Sequence, residues 1–272
     1  MSERFIQKRK QEKSRVVALL SMMSLLTGIS PVFAVSDKTT EQVSLQSWHP
    51  IISLGAGVLT ISNLGASGYF PIQNASTDEF YQHTANSQFQ IAPLVDGFLG
   101  AEWRSDSHGW WQVGLDYSQG FSLSTTGTGV ILTQGADTPP DTTTYHYNVI
   151  TRQLLLEGKW LTTLHERYHP YALLGVGASF NRAYDYESDF PLHITRTRVY
   201  QDSNTTSFSY ALGVGIDMDV AQHVRIGMGY RFADLGELSL GSATIHSIPV
   251  SGTLSQSHVY SSQALVQLTY VV

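Results

Sequence analysis

The chain contains no cysteine, which excludes a disulfide framework, a thiolate metal site and a thiol nucleophile. Charge is scarce: Asp, Glu, Lys and Arg supply 14% of the 272 residues, against 42% hydrophobic and 11% aromatic. Long apolar runs are missing too. Val16–Ile29 spans about 14 residues, short of the roughly 20 a helix needs to cross a bilayer, and polar side chains interrupt every later stretch. A helical membrane span is thereby excluded. A strand-built one is not, because alternating oily and polar residues average to a mean hydropathy near zero, as here.

What is present begins with a targeting pattern. Arg4, Lys8, Arg9, Lys10, Lys13 and Arg15 form a basic region ahead of the short apolar stretch, and Val32-Phe33-Ala34 offers the small residues a signal peptidase reads. The expected organisation is a cleaved signal peptide over residues 1–34, a polar leader over 35–47 and one β domain over 48–272. Beyond residue 34 the chain carries 10 basic and 20 acidic residues, a formal charge of −10 that argues against nucleic acid as a partner.

From Trp48 onward, apolar residues recur at every second position in eight stretches: Trp48–Ile61, Gln90–Arg104, Trp110–Leu123, Tyr145–Leu161, Tyr171–Arg182, Phe208–Val220, Val224–Ala233 and Ser261–Val272. Side chains of a strand alternate between faces, so each stretch predicts a strand with one oily and one mostly polar face. In the sixth, Tyr210, Leu212, Val214, Ile216 and Met218 oppose Ser209, Gly213, Gly215, Asp217 and Asp219. The connections sort by length with parity. Ser62–Phe89, Ser124–Thr144, Ala183–Ser207 and Asp234–Tyr260 are long, whereas Ser105–Gly109, Thr162–Pro170 and Ala221–His223 are short. A soluble sandwich has no reason to sort its loops this way, and a transmembrane barrel does. The expected fold is all-β: an eight-stranded antiparallel up-and-down transmembrane β-barrel with four long extracellular loops and three short periplasmic turns. Pairing the last strand with the first would leave no bare sheet edge.

That threading assigns the conspicuous side chains. Trp48, Trp103, Trp110, Trp111, Trp160, Tyr171 and Tyr270 fall at the short-turn end, where an aromatic girdle is favoured between oil and water. Asp96, Glu102, Asp116, Glu157, Lys159, Asp217, Asp219, Arg225 and Arg231 fall on the inner face. An eight-stranded barrel is about wide enough inside for side chains to fill, so these charges predict a salt-bridge plug; a narrow, gated cation-leaning pore is the alternative. In the long loops, Tyr69, Phe70, Arg196 and Arg198 are candidate contacts for a ligand. His83, His146, His193, His246 and His258 scatter over four loops, so neither a metal nor any other cofactor is expected. His246-Ser247 and Ser257-His258 lack a nearby acid, and no strand presents a Ser and a His outward. No catalytic residue is assigned, and a lipid-modifying enzyme is the third reading.

Three segments carry a family resemblance. The terminal SSQALVQLTYVV, with apolar residues at alternate positions and Tyr270 near its end, resembles the closing strand of Gram-negative outer-membrane barrels. His169-Pro170-Tyr171-Ala172-Leu173-Leu174-Gly175-Val176-Gly177 is similar to the KPY-hydrophobic-GxG strand start of small outer-membrane barrels. Gly229-Tyr230-Arg231-Phe232-Ala233-Asp234-Leu235-Gly236 resembles their GYRYxDLG segment. Over residues 48–272 the chain resembles the OmpA/OmpX-type and opacity-like surface proteins, with Val272 standing where an aromatic is more usual and with no periplasmic wall-binding domain expected. The resemblance implies a monomer in the bacterial outer membrane with a structural or adhesive role. It also implies contact with outer-membrane lipid and lipopolysaccharide, delivery by the barrel-assembly machinery through the C-terminal strand, and a host or surface ligand.

Overall fold

The computed structural model describes residues 48–62, 64–71, 79–86, 89–104, 109–133, 141–189, 198–245 and 248–272, so the expected signal peptide and leader lie outside the described residues. In chain order the described strands are β1 (Trp48–Ile61), β2 (Gly68–Pro71), β3 (Glu79–Ala85), β4 (Gln90–Arg104), β5 (Gly109–Gly120), β6 (Leu123–Thr133), β7 (Asp141–Thr162) and β8 (Tyr168–Asp189). They continue with β9 (Val199–Tyr200), β10 (Ser203–Ala221), β11 (Val224–Asp234), β12 (Leu238–Ser239), β13 (Ala243–Ile245), β14 (Ile248–Val250), β15 (Ser255–Gln256) and β16 (Tyr260–Val271).

Eight of these close a ring. β1 pairs antiparallel with β4, β4 with β5, β5 with β7, β7 with β8, β8 with β10, β10 with β11, and β11 with β16. The seam is β1 against β16, in continuous register from Ile51↔Val271 to Ile61↔Ser261. Closure satisfies the backbone groups that an open edge would leave bare. The faces follow from parity. Leu54, Leu99, Leu115, Leu156, Leu212 and Val266 are exposed on the outside, while Ser53, Asp96, Asp116, Glu157, Asp217 and Gln267 are buried inside. An apolar outer surface and a polar interior reverse the arrangement of a soluble barrel.

The long connections differ from simple loops. β7 and β8 each run 22 residues, beyond what a bilayer requires, and stay paired up to Thr144↔Asp189. β6 adds to the upper part of β7, β3 to β6 and β2 to β3, so a second sheet branches off the ring at the long-connection end. The sequence predicts a loop over Ser124–Thr144, where STTGTGVILT and DTTT lack a regular oily face. Strands standing clear of lipid have no need of one.

The apolar core also sits at that end. Leu59, Ile61, Leu94, Val149 and Ala183 from the ring pack with Leu64, Leu235, Leu238, Leu240, Leu254 and Val259 from the connections. Much of Asp234–Tyr260, expected as a long loop, therefore folds down as an apolar lid.

Candidate functional site

Two levels of the interior hold the charges. At mid-height the guanidinium of Arg231, on β11, reaches Asp96 Oδ2 on β4 at 2.9 Å, Asp116 Oδ1 on β5 at 2.8 Å and Glu157 Oε2 on β7 at 3.5 Å. Its Nε donates to Gln263 Oε1 at 2.6 Å. Lys159 lies 3.6 Å from Glu157 Oε1, donates to Gln267 Oε1 at 3.2 Å, and stands over the rings of Phe98 and Tyr171 at 5.3 and 5.2 Å. Gln267 in turn donates to Asp96 Oδ1 at 2.9 Å.

Nearer the short turns, Arg225 holds the Glu102 carboxylate with both terminal nitrogens and Asp219 Oδ1 with Nε, the last at 2.8 Å. Glu102 also accepts from Gln112, and His169 Nε2 shares a hydrogen bond of 2.9 Å with Asp219 Oδ2. Asp217 is buried on the same inner face, in the field of Lys159, Arg225 and His169, but joins none of the ion pairs formed among the described residues. The sequence reads Gln112, Gln263 and Gln267 as polar-face residues but assigns them no part in the network, and it passes over His169, whose inward parity is the signal that could have found it.

The aromatic assignments divide. Trp48, Trp103, Trp111 and Trp160 are consecutive ladder partners across β1, β4, β5 and β7, forming one outward row at the short-turn end, and Tyr270 faces out beyond the seam. Trp110 and Tyr171 are corrections. Trp110 has the parity of inward Gln112, and its indole Nε1 donates to Thr163 Oγ1 at 3.2 Å. Tyr171 is buried under Lys159, and its hydroxyl fills the space left by Gly215 and Gly229. A Cβ on Gly215 would stand 2.4 Å, and one on Gly229 2.3 Å, from that ring or its oxygen. Alternation decides both cases, since Trp111 and Ala172 take the outward positions.

In the layer above the ring, Tyr69 is exposed and stacks on Phe80 at 4.9 Å between centroids. Arg198, expected as a surface contact, is instead buried; its guanidinium lies 4.1 Å over Phe70 and donates to the carbonyls of Ser251 and Gly252. Arg196 lies outside the described residues. His83 is enclosed by Phe70, Tyr81, Tyr145 and Tyr200. Burial, and then the charge of Arg198, lower its pKa to about 4, so it is neutral at pH 7.

The expectation of no metal takes the chain to have no H-x-x-x-H spacing, and the sequence corrects this: His165-Glu166-Arg167-Tyr168-His169 has the HExxH spacing that binds zinc when carried on a helix. Here it runs from the β7–β8 turn into the first two residues of β8. His165 and Glu166 adopt φ of 48° and 61° and are exposed, while His169 points inward to Asp219. The two imidazoles are not brought together on a helix face, and no cluster of three metal-binding side chains occurs among the described residues.

The model of the outer membrane protein beta-barrel domain family matches residues 49–253, three quarters of the chain. The chain belongs to that family. It is a bacterial outer-membrane barrel, and its long connections face the cell exterior. None of the curated proteins matches the barrel. Among solved structures, Neisserial surface protein A is 15% identical with a TM-score of 0.36, covering 83% of this chain and 99% of that one. Ail of Yersinia pestis, in complex with the heparin analogue sucrose octasulfate, is 11% identical with a TM-score of 0.34, covering 82% and 99%. The outer membrane protease OmpT from Escherichia coli is 9% identical with a TM-score of 0.45, covering 86% and 99%. Structural neighbours of the barrel thus include a protease beside surface proteins.

Proposed function

We propose that the barrel is a closed surface protein that acts through its extracellular layer, as a structural or adhesive component of the envelope, and that it neither conducts ions nor catalyses a reaction. The observation that carries this reading is the filled axis. The ion network of Arg231 and Lys159 occupies mid-height, and the apolar lid of Leu235, Leu238, Leu240 and Leu254 lies above it. A permeating ion would have to break buried pairs and then cross an apolar layer, each of which is costly. The salt-bridge plug and the lid together leave the extracellular layer as the part free to meet a partner. There, Tyr69 and Phe89 present exposed rings, and Asp185, Glu187, Asp202 and Glu237 give the rim an acidic character.

The test has two arms. Purified full chain in planar bilayers is expected to give a flat current trace, and steady single-channel steps would replace this reading with the pore. Cells displaying Tyr69→Ala are expected to adhere to host-type surfaces several-fold less than cells displaying the unchanged chain at equal surface level. Equal adherence of chain-bearing and chain-free cells would remove the adhesive role.

A further inference from the structure

Two arginines stand on the lipid-facing side of the ring. On β7 and β8, Leu154, Leu156, Leu174 and Val176 project outward and are exposed, as an apolar belt requires. Toward the long-connection end the same face then carries Arg152 and Arg182. Arg152 is the ladder partner of Phe180, and Arg182 that of Ile150, so the two are diagonal neighbours on one face, close enough for long side chains to meet. On the next strand Asn204 pairs with Arg182 and Thr206 with Phe180. The result is a patch two residues high and three strands wide, indented by a cavity of about 320 Å³ lined by Arg152, Arg182, Phe180, Asn204 and Thr206.

Its height is fixed by two observations. Arg152 lies eight residues along β7 from Trp160 of the short-turn row, which for a tilted strand is roughly 20 Å along the barrel axis. Outward aromatic rings, Phe180 and Phe208, stand beside it, marking the opposite oil–water boundary. The patch therefore meets the headgroups of the outer leaflet.

Arg152 forms no ion pair among the described residues. Arg182 pairs with Asp202 at 3.1 Å, but both side chains are half exposed, where such a pair contributes little and exchanges readily. At headgroup height an exposed guanidinium without a carboxylate of its own chain is open to the anionic groups that the membrane surface presents. Guanidinium groups bind phosphate oxygens in a bidentate manner, and Asn204 and Thr206 add neutral donors beside them.

We propose that Arg152 and Arg182 form a binding site for the sugar-linked phosphate monoester of an outer-leaflet glycolipid, lipopolysaccharide, with its acyl chains lying along the Leu154–Leu174 face. Occupancy of this site fixes the barrel's vertical position and ties neighbouring lipid to it.

The full chain refolded in detergent micelles is titrated with lipopolysaccharide, with enzymatically dephosphorylated lipopolysaccharide, with phosphatidylglycerol and with inorganic phosphate. Dephosphorylation is expected to weaken binding at least roughly tenfold. Arg152→Ala/Arg182→Ala is expected to lose the same factor while keeping its heat-modifiable gel mobility. Phosphatidylglycerol and inorganic phosphate are expected not to displace the bound glycolipid. Equal affinity for the dephosphorylated lipid overturns the site, and this arm needs no variant. Equal affinity of the double variant also overturns it, and full displacement by phosphatidylglycerol or inorganic phosphate overturns the assignment to glycolipid.

Discussion

Arg231→Ala is expected to be the most damaging single substitution in the barrel. The side chain is buried and joins five strands: its own β11, β4 through Asp96, β5 through Asp116, β7 through Glu157 and β16 through Gln263. Removing it leaves three carboxylates facing one another with only Lys159 to balance them. Deleting one partner of a buried ion pair costs roughly 3–5 kcal/mol, because the abandoned charge stays buried. Here three are abandoned, so the upper end of that range applies. The urea midpoint for loss of the heat-modifiable form should fall sharply, or folding should fail outright. Arg231→Met combined with Asp96→Asn and Asp116→Asn should recover much of the loss, since it removes two of the three charges together with their partner and leaves Glu157 paired with Lys159. An Arg231→Ala protein as stable as the unchanged chain would mean that the mid-height network does not hold the ring.

The second large effect is expected from outside. Val214 projects outward from the middle of β10, 59% exposed, between Ala172 on β8 and Tyr230 on β11. In an aqueous protein, Val214→Arg at so exposed a site would be nearly neutral. In a bilayer an arginine near the midplane costs roughly 2–4 kcal/mol. Refolding yield into lipid vesicles should drop, with little change for Val214→Leu. If Val214→Arg inserts as well as the unchanged chain, the outer face is not lipid-facing.

How much of this was legible in the sequence depends on which force acts at each position. Lipid on one side and a packed polar axis on the other impose a period of two, so Leu212, Val214 and Ile216 revealed their face, as did Asp96, Asp116 and Arg231. Which inward charge meets which was not legible, because Arg231 and Asp96 are 135 residues apart and only the closed ladder sets their register. Trp110 and Tyr171 were misassigned because nearness to a short turn was weighed above parity. The extracellular layer was hardest to read. β6 and the first four residues of β7 carry no regular oily face, and so little alternation to detect. Arg198 is held by an aromatic ring and two carbonyls from distant segments, contacts that no local pattern announces. The lid did leave a signal: Leu235, Leu238, Leu240, Leu254 and Val259 are too apolar for a solvated loop.

The account rests on the ring being closed by the two ends of the chain, and the lack of cysteine offers a direct test. Ser53 on β1 and Thr269 on β16 are ladder partners whose hydroxyl oxygens lie 2.7 Å apart inside the barrel, 216 residues apart in sequence. The variant Ser53→Cys/Thr269→Cys, folded in outer membranes and then mildly oxidised, should form one intramolecular disulfide. Boiled without reductant, it should migrate as a circularised chain, and reductant should restore the linear mobility. Failure of the folded protein to cross-link, while Ser53→Cys and Thr269→Cys each fold normally alone, would contradict a closed barrel.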